Sequence, residues 1–208
     1  MTQIAVLVSG GGTNLQALID AEKRGDIKSG HIALVVSSQP DAYALTRAKE
    51  AGIPTAVACK KDLGRSQEAF EAAIEEALEA HHIDLIVLAG FLSILSENFT
   101  RKWPERIINV HPALIPSFSG KGMYGLKVHE AALEKGVKVT GATVHFVNEI
   151  PDGGKILLQK AVEVHDDDTP ETLQRRVMEE AEWKLLPQAV EMVAAGESES
   201  CNRTGSVL

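Results

Sequence analysis

Short apolar runs alternate with helical segments along the first half of the chain, and this alternation constrains the fold more than any other feature. The predicted strands are residues 4–8, 32–36, 55–58, 85–88 and 107–110. The predicted helices between them are residues 13–23, 42–51 and 66–82, followed by a short helical segment before residue 107. Strands and helices that alternate at this spacing indicate a doubly wound, mainly parallel α/β sheet.

The pattern changes after His111. Residues 112–125 form a loop rich in glycine and proline, and a helix is predicted over residues 126–135. Two strands, residues 137–147 and 156–164, surround a Pro-Asp-Gly-Gly turn, which predicts an antiparallel C-terminal extension. A final helix starts with Thr169 as its cap and Pro170 in its first turn. Asp41 is predicted to cap the second helix.

The length and composition predict one domain over residues 1–195, with a polar, disordered tail over residues 196–208. The formal net charge of −8 argues against nonspecific binding to nucleic acid or to anionic membranes. No apolar run approaches the roughly 20 residues of a membrane helix. The N-terminus lacks the basic region of a signal peptide. Cys59 and Cys201 are far apart, so we expect a reduced, cytoplasmic protein without a metal site.

Two polar side chains end the fifth predicted strand. Asn109 and His111 are two positions apart, so they face the same side of an extended backbone, and Pro112 ends the strand. An amide donor and an imidazole at the carboxyl end of a buried strand lie where open α/β sheets bind ligands. The alternative is that both side chains only satisfy local backbone groups.

A glycine-rich segment, residues 9–14, joins the first strand to the first helix. Glycines let backbone N–H groups approach a phosphate, and the helix N-terminus favours an anion. The segment matches neither the P-loop nor the G-x-G-x-x-G dinucleotide pattern, so a monophosphate fits best. The alternative is a tight strand-to-helix turn with no ligand.

Asp152 lies in the Pro-Asp-Gly-Gly turn, where an aspartate usually bonds its own backbone. If it lies near His111, its carboxylate would favour the imidazolium, and together with Asn109 the three residues could stabilise an oxyanion. His145 alternates with apolar residues, so a structural role, or support of a neighbouring site residue, is favoured over catalysis. Residues 92–95 follow another strand end, where they either pack in the core or form an apolar slot for a flat heterocycle.

The ordered set of motifs resembles the phosphoribosylglycinamide formyltransferase family, the folate-dependent transferases of purine biosynthesis. The resemblance covers residues 2–195 and rests on the glycine loop, Leu88-Ala89-Gly90-Phe91, Asn109-Val110-His111-Pro112, Thr143-Val144-His145-Phe146-Val147 and Asp152-Gly153-Gly154. It implies a Rossmann-like formyltransferase fold. In this family the amine of 5-phosphoribosylglycinamide attacks the formyl carbon of the cosubstrate 10-formyltetrahydrofolate directly.

The resemblance also implies roles for individual residues. Asn109 and protonated His111 would stabilise the oxyanion, and Asp152 would raise the pKa of His111. The ribonucleotide would bind through Gly12, Thr13 and Asn14 at its phosphate and through Glu182 at its glycinamide end. The pterin site maps to Leu92, Ser93, Ile94, Leu95, Asn109, Asn148, Glu149, Ile150, Pro151 and Asp152. No metal, nucleic acid or membrane is implied, and a monomer or homodimer is expected.

The chain departs from the family pattern at several positions. Leu92-Ser93 stands where the family often has Met-Arg, so pterin binding is expected to depend on the main chain. A family arginine near the folate tail falls close to Gln67, with Arg65 nearby as a substitute. The loop over residues 117–127 is longer than in some members, and Lys121 in it is a candidate substrate contact. One extra residue precedes Glu182.

Three other functions compete with this interpretation. Methionyl-tRNA formyltransferase usually adds an RNA-facing domain, for which a 208-residue acidic chain is expected to have no room. Formyltetrahydrofolate deformylase usually carries an N-terminal regulatory domain, whereas the first strand here begins at Gln3. A noncatalytic nucleotide-binding module would need the glycine loop but not the set of Asn109, His111 and Asp152.

Overall fold

A computed structural model describes residues 1–197, which contain one seven-stranded sheet with helices on both faces. The strands are β1 Thr2–Val8, β2 Gly30–Ser37, β3 Thr55–Val57, β4 Leu85–Leu88, β5 Ile107–His111, β6 Val139–Phe146 and β7 Ile156–Glu163. The helices are α1 Thr13–Arg24, α2 Tyr43–Glu50, α3 Gln67–Ala80, α4 Glu97–Lys102, α5 Leu126–Lys135, α6 Pro170–Val177 and α7 Trp183–Ala194.

The strand order is β3-β2-β1-β4-β5-β6-β7. The first five strands pair in parallel, while β6 is antiparallel to β5 and β7 is antiparallel to β6. The order reverses at β1, because the chain first builds outward through β2 and β3 and then returns to place β4 on the other side of β1. The predicted parallel sheet with an antiparallel C-terminal extension is confirmed.

The sheet has an apolar core on each face. Successive residues of β1 point to opposite sides, so Val6 packs in one cluster with α1 and α7, while Leu7 packs in the other with Phe70 of α3 and Phe99 of α4. A strand covered on both faces needs apolar residues at every position. This explains why β1 and β4 are continuous apolar runs rather than alternating ones.

Polar side chains begin several helices. Ser66 and Ser96 accept hydrogen bonds from backbone N–H groups of α3 and α4. The predicted cap at Thr169 is confirmed, with Pro170 in the first turn of α6. The predicted cap at Asp41 is wrong, because Ala42 occupies that position and makes no side-chain bond. The Ala44 N–H instead donates to the carbonyl of Gly10, so α2 is capped by the glycine loop itself.

The last helical run is not continuous as predicted. A π-helical turn, Met178–Glu182, separates α6 from α7. The predicted tail over residues 196–208 lies, from residue 198 onward, outside the described residues. Among the helices of residues 1–197, none is long and apolar enough to cross a membrane.

Candidate active site

The carboxyl ends of β1, β4 and β5 lie side by side at the switch point of the sheet. Each strand is followed there by a loop: residues 9–12 after β1, residues 89–96 after β4 and residues 112–125 after β5. Leu92 N–H donates to Ser9 Oγ at 2.9 Å, which joins the first two segments. Ligands bind open α/β sheets at this kind of crevice.

Asn109 and His145 form a cross-strand pair. They stand opposite each other in the antiparallel register of β5 and β6, where facing side chains come close. Asn109 Nδ2 lies 3.2 Å from His145 Nε2, and His145 Nδ1 lies 2.7 Å from the carbonyl of Phe146. Because a carbonyl only accepts, Nδ1 carries the proton, so Nε2 accepts from Asn109 when His145 is neutral. The pair thus fixes the direction of the Asn109 amide.

His111 is held between a loop carbonyl and a carboxylate. It is 4% exposed. Its Nε2–H donates to the carbonyl of Phe118 at 2.8 Å, and its Nδ1 lies 3.6 Å from Asp152 Oδ2. Burial lowers the pKa of His111 more than Asp152 and Phe118 raise it, and nearby His145 lowers it further. The expected direction of the Asp152 effect is therefore correct, but the net pKa lies below its usual value, so without ligand the imidazole is neutral at pH 7.

Asp152 is presented by a tight turn that follows β6. Its φ is +56°, a left-handed conformation that aspartate tolerates in turns. Gly154 is required nearby, because a Cβ there would lie 1.8 Å from the carbonyl of Phe146. Oδ2 accepts from the Gly120 N–H at 2.8 Å.

The carboxylate of Asp152 is ionised despite its partial burial. Burial raises its pKa, but hydrogen bonding to His145 and Gly120 and the charges of both imidazoles outweigh this effect and lower the pKa overall. Oδ1 lies 3.6 Å from His145 Nε2, while Oδ2 faces His111. Asp152 therefore lies against both rings, and its charge favours a proton on His111.

Two adjoining cavities meet at these residues. One, of about 120 Å³, is bounded by the loop after β4 and the turn at residues 147–152, with Asn109 and His145 at its base. The other, of about 240 Å³, lies between the loop after β4 and residues 120–125, with His111 in its wall. Asn109 and Asp152 line both cavities. A ligand that spans the two would therefore pass these side chains.

The predicted pterin residues surround the cavities. Ser93, Ile94, Pro151, Asp152 and Asn109 line both, Leu92 lines the larger one, and Leu95, Asn148, Glu149 and Ile150 line the smaller one. Leu92 and Ile94 are more than 60% exposed, although both are large apolar side chains. Lys121 lines the larger cavity.

The glycine loop lies beside this centre rather than in it. Gly12 is the N-cap residue of α1 with φ +73°, and a Cβ there would lie 2.7 Å from the Cβ of Ala44. Gly12, Thr13 and Asn14 line neither cavity, but they begin the helix that follows β1, two strands away from β5. Thr13 Oγ1 lies 3.7 Å from Met178 Sδ of the π-helical turn.

Asn14 joins the glycine loop to Glu182. Its Nδ2 donates to Glu182 Oε2 at 2.7 Å, and both side chains are buried. Burial raises the pKa of Glu182 to about 7, and the bond from Asn14 opposes this effect. Asn14 Oδ1 has no protein partner within residues 1–197, so the pair offers both an acceptor and a titratable carboxyl group.

Some groups of the site could not be found from the sequence. His145, for which the sequence favours a structural role or support of a neighbouring site residue, contacts both Asn109 and Asp152. Its position one residue before the end of β6 carries a usable signal, because antiparallel pairing with β5 places it opposite Asn109. No sequence signal indicates the Phe118 carbonyl or the Gly120 N–H, because residue types do not show which backbone groups of a loop point into a site. Within the described residues, no cluster of three His, Cys, Asp or Glu side chains is arranged to hold a metal ion.

Comparison with known proteins places the chain among formyl transferases. A family model described as formyl transferase matches residues 2–190. The phosphoribosylglycinamide formyltransferase of Haemophilus influenzae is 42% identical over 196 residues, which are 94% of this chain and 89% of that protein. The crystal structure of glycinamide ribonucleotide transformylase 1 from Symbiobacterium toebii superposes with a TM-score of 0.87 at 43% identity, covering 94% of this chain and 89% of the other.

A longer protein also matches. The trifunctional purine biosynthetic protein adenosine-3 of Bos taurus is 47% identical over 194 residues, and these residues are 93% of this chain. The chain spans only 18% of the length of that relative. The shared segment is the one that the family model describes, so the match concerns this unit and not the rest of the trifunctional protein. The chain belongs to the formyl transferase family.

Proposed function

We propose that this protein transfers the formyl group of 10-formyltetrahydrofolate to the amine of 5-phosphoribosylglycinamide in purine biosynthesis. The single observation that carries the proposal is the convergence of Asn109, His111 and Asp152 where two cavities meet. Relatives with the name of this activity, at about 40% identity over most of the chain, support the choice of substrates.

Each substrate has a site of matching chemistry. The pterin ring of the folate is a flat heterocycle with polar edges. It fits the smaller cavity, between apolar side chains and the backbone of the loop after β4. The ribonucleotide phosphate fits the N-terminus of α1, where N–H groups and the helix dipole favour an anion. The Glu182 carboxylate then accepts from the amine or amide N–H groups of the glycinamide end. This arrangement brings the amine and the formyl group together beside Asn109.

The proposed reaction proceeds through a tetrahedral intermediate. The amine nitrogen bonds to the formyl carbon, and the carbonyl electron pair moves onto oxygen. The Asn109 amide donates a hydrogen bond to this oxyanion, whose negative charge raises the pKa of the His111 imidazole. The imidazole takes a proton from the attacking nitrogen at Nδ1, beside Asp152, and this N–H then donates to the oxyanion. When the intermediate collapses, the bond to folate N10 breaks and the imidazole gives that proton to N10.

The test combines purified protein, 10-formyltetrahydrofolate and the ribonucleotide, omitting each in turn. We expect tetrahydrofolate to form only when the ribonucleotide is present, with one formylated ribonucleotide for each folate released. His111→Gln serves as the inactive control, because the glutamine amide cannot take up the proton that the imidazole accepts in the proposed reaction. Formate release at the same rate without the ribonucleotide would instead identify a hydrolase.

A further inference from the structure

The loop between β4 and α4, residues 91–95, is fixed by side chains from other elements. Within the described chain its backbone makes no backbone–backbone hydrogen bond, and Ser93 and Leu95 have no hydrogen-bond partner at all. The ring of Phe91 stacks on Phe70 of α3 with centroids 6.3 Å apart. The Ile94 carbonyl accepts from Gln67 Nε2 at 3.0 Å. The loop shape therefore depends on α3.

Glu71 is the centre of this arrangement. Its side chain is buried, 8% exposed, although it is charged. Oε1 accepts from the Ser96 N–H and from Gln67 Nε2, both at 2.6 Å, and Oε2 accepts from Ser96 Oγ at 2.6 Å. Three donors meet one carboxylate, which only accepts when ionised. Charge-assisted bonds of this kind are the stronger ones, so they hold the C-terminal end of the loop firmly.

Gln67 extends the network along α3. It stands one turn before Glu71, where side chains four apart share a face of the helix. Lys60 Nζ donates to its Oε1 at 2.6 Å, which orients the amide so that Nε2 points to both Ile94 and Glu71. The loop is thus held at Ile94 by Gln67 and at Ser96 by Glu71.

A loop held in this way is suited to present backbone groups to a ligand. Residues 93–95 line the smaller cavity. The backbone N–H and C=O groups of Ser93 and Leu95, which have no partner within the described chain, are what the edge of a flat heterocycle could pair with. Loss of the hydrogen bonds from Gln67 or Glu71 would let the loop adopt other conformations. The fraction of protein with the binding conformation would then fall, and the apparent affinity for the ligand would fall with it. We propose that Glu71, acting with Gln67, is a positioning residue that sets the affinity for the heterocycle of the folate cosubstrate. This inference rests on the proposed function.

The test compares Glu71→Gln with Glu75→Gln. Glu75 is a matched control, because it lies one turn further along α3 and also connects to α4, through Lys102 at 2.7 Å, but away from the loop. For Glu71→Gln we expect the KM for 10-formyltetrahydrofolate and the Kd for tetrahydrofolate, measured by anaerobic titration calorimetry, to rise at least about tenfold. The kcat should fall less than about threefold, and the ribonucleotide KM should stay within about twofold.

A merely structural role predicts a different result. In that case Glu71→Gln would lower the melting temperature while the Kd for tetrahydrofolate stayed equal to that of Glu75→Gln, and the positioning role would be overturned. Gln67→Met gives a second test if Glu71→Gln does not fold, with an expected rise in that Kd of about three- to fivefold. A wild-type protein that neither binds tetrahydrofolate nor transfers formyl groups would overturn the proposed function itself.

Discussion

Asp152 is the residue whose charge the proposed site most depends on. It faces His111 and His145, and the charge of its carboxylate raises the pKa of His111. Asp152→Asn keeps the size of the side chain and removes the charge. We expect kcat to fall by about 10²- to 10⁴-fold with the fold retained, because the oxyanion would lose its protonated partner. Steady-state kinetics and circular dichroism measure the two effects.

The control for this substitution is Asp166→Asn. Asp166 is an exposed aspartate that pairs with Lys138 at 2.7 Å and lines neither of the two cavities. The same chemical change there should leave kcat unaltered. A near-normal kcat in Asp152→Asn would contradict the role of Asp152.

Glu182 gives the proposed reaction a pH dependence. Burial raises its pKa to about 7, so the carboxyl group is ionised above pH 7 and protonated below it. Only the ionised form accepts N–H groups with both oxygens. We expect the ribonucleotide KM to rise about tenfold for each pH unit below 7, beyond the titration of the substrate itself.

Glu182→Gln separates the two titrations. The amide cannot ionise, so its KM profile should show only the titration of the substrate. The measurement is initial velocity against ribonucleotide concentration from pH 5.5 to 8.5 for both proteins. Parallel profiles would exclude Glu182 as the titrating group.

We infer that the π-helical turn accommodates an extra residue. The resemblance to the family implies that its pattern has one residue fewer before Glu182. A turn with i→i+5 bonding takes up one residue, so Val177 and Glu182 both stay on the buried face although they are five positions apart. In an ordinary α-helix residues four apart share a face. The insertion therefore changes the helix locally and leaves the Asn14–Glu182 contact in place.

This account predicts that one deletion is harmless. Glu180 is exposed in the π-helical turn, and its removal would convert the turn to α-helix with Val177 and Glu182 four positions apart. We expect the variant to fold and to keep the ribonucleotide KM within about threefold. Deletion of Lys184, also exposed but in regular helix, would rotate the buried residues of α7 by about 100° and should prevent folding. Expression, melting temperature and KM decide between these outcomes.

The elements themselves were largely predictable, because their signals are local. Continuous apolar runs marked the buried strands, and Thr169 with Pro170 marked the start of α6. The prediction of helix caps was wrong where the first backbone N–H groups of a helix donate to a distant segment of the chain. Asp41 has the chemistry of a cap, but the carbonyl of Gly10 accepts from α2 instead. The π-helical turn escaped detection for a similar reason, since it reflects packing of both flanking helices.

The candidate site also depends on the topology of the complete fold, which a single sequence does not determine by local patterns. Asn109 and His111 share a strand face, which is a local inference. That Asp152 returns to them depends on the antiparallel pairing of β6 with β5, which also sets His145 opposite Asn109. The balance between burial and charge at His111 depends on the complete fold, so the net direction of its pKa could not be predicted from residue types.

The stability of the folded chain should reflect a further buried histidine, His129 of α5. It is 1% exposed, and neither ring nitrogen has a hydrogen-bond partner within residues 1–197. Burial, with a smaller effect from His111, lowers its pKa to about 4. The unfolded chain binds a proton at about pH 6.5, whereas the folded chain does not until about pH 4. Stability is therefore unaffected by this group above pH 6.5 and is lost as the pH falls below it, by up to about 3 kcal/mol.

His129→Leu should remove this loss. Leucine takes up no proton in either state and leaves no buried polar atom unpaired, so the free energy of unfolding should depend less on pH between 7 and 5 than in the wild type. Between pH 7 and pH 5 the wild type should lose about 2 kcal/mol more of its free energy of unfolding than His129→Leu, as measured by urea unfolding. His165→Leu, at an exposed position, should keep the wild-type slope. Equal slopes in wild type and His129→Leu would mean that His129 is protonated as readily in the folded chain as in the unfolded one, and that its burial carries no energetic consequence.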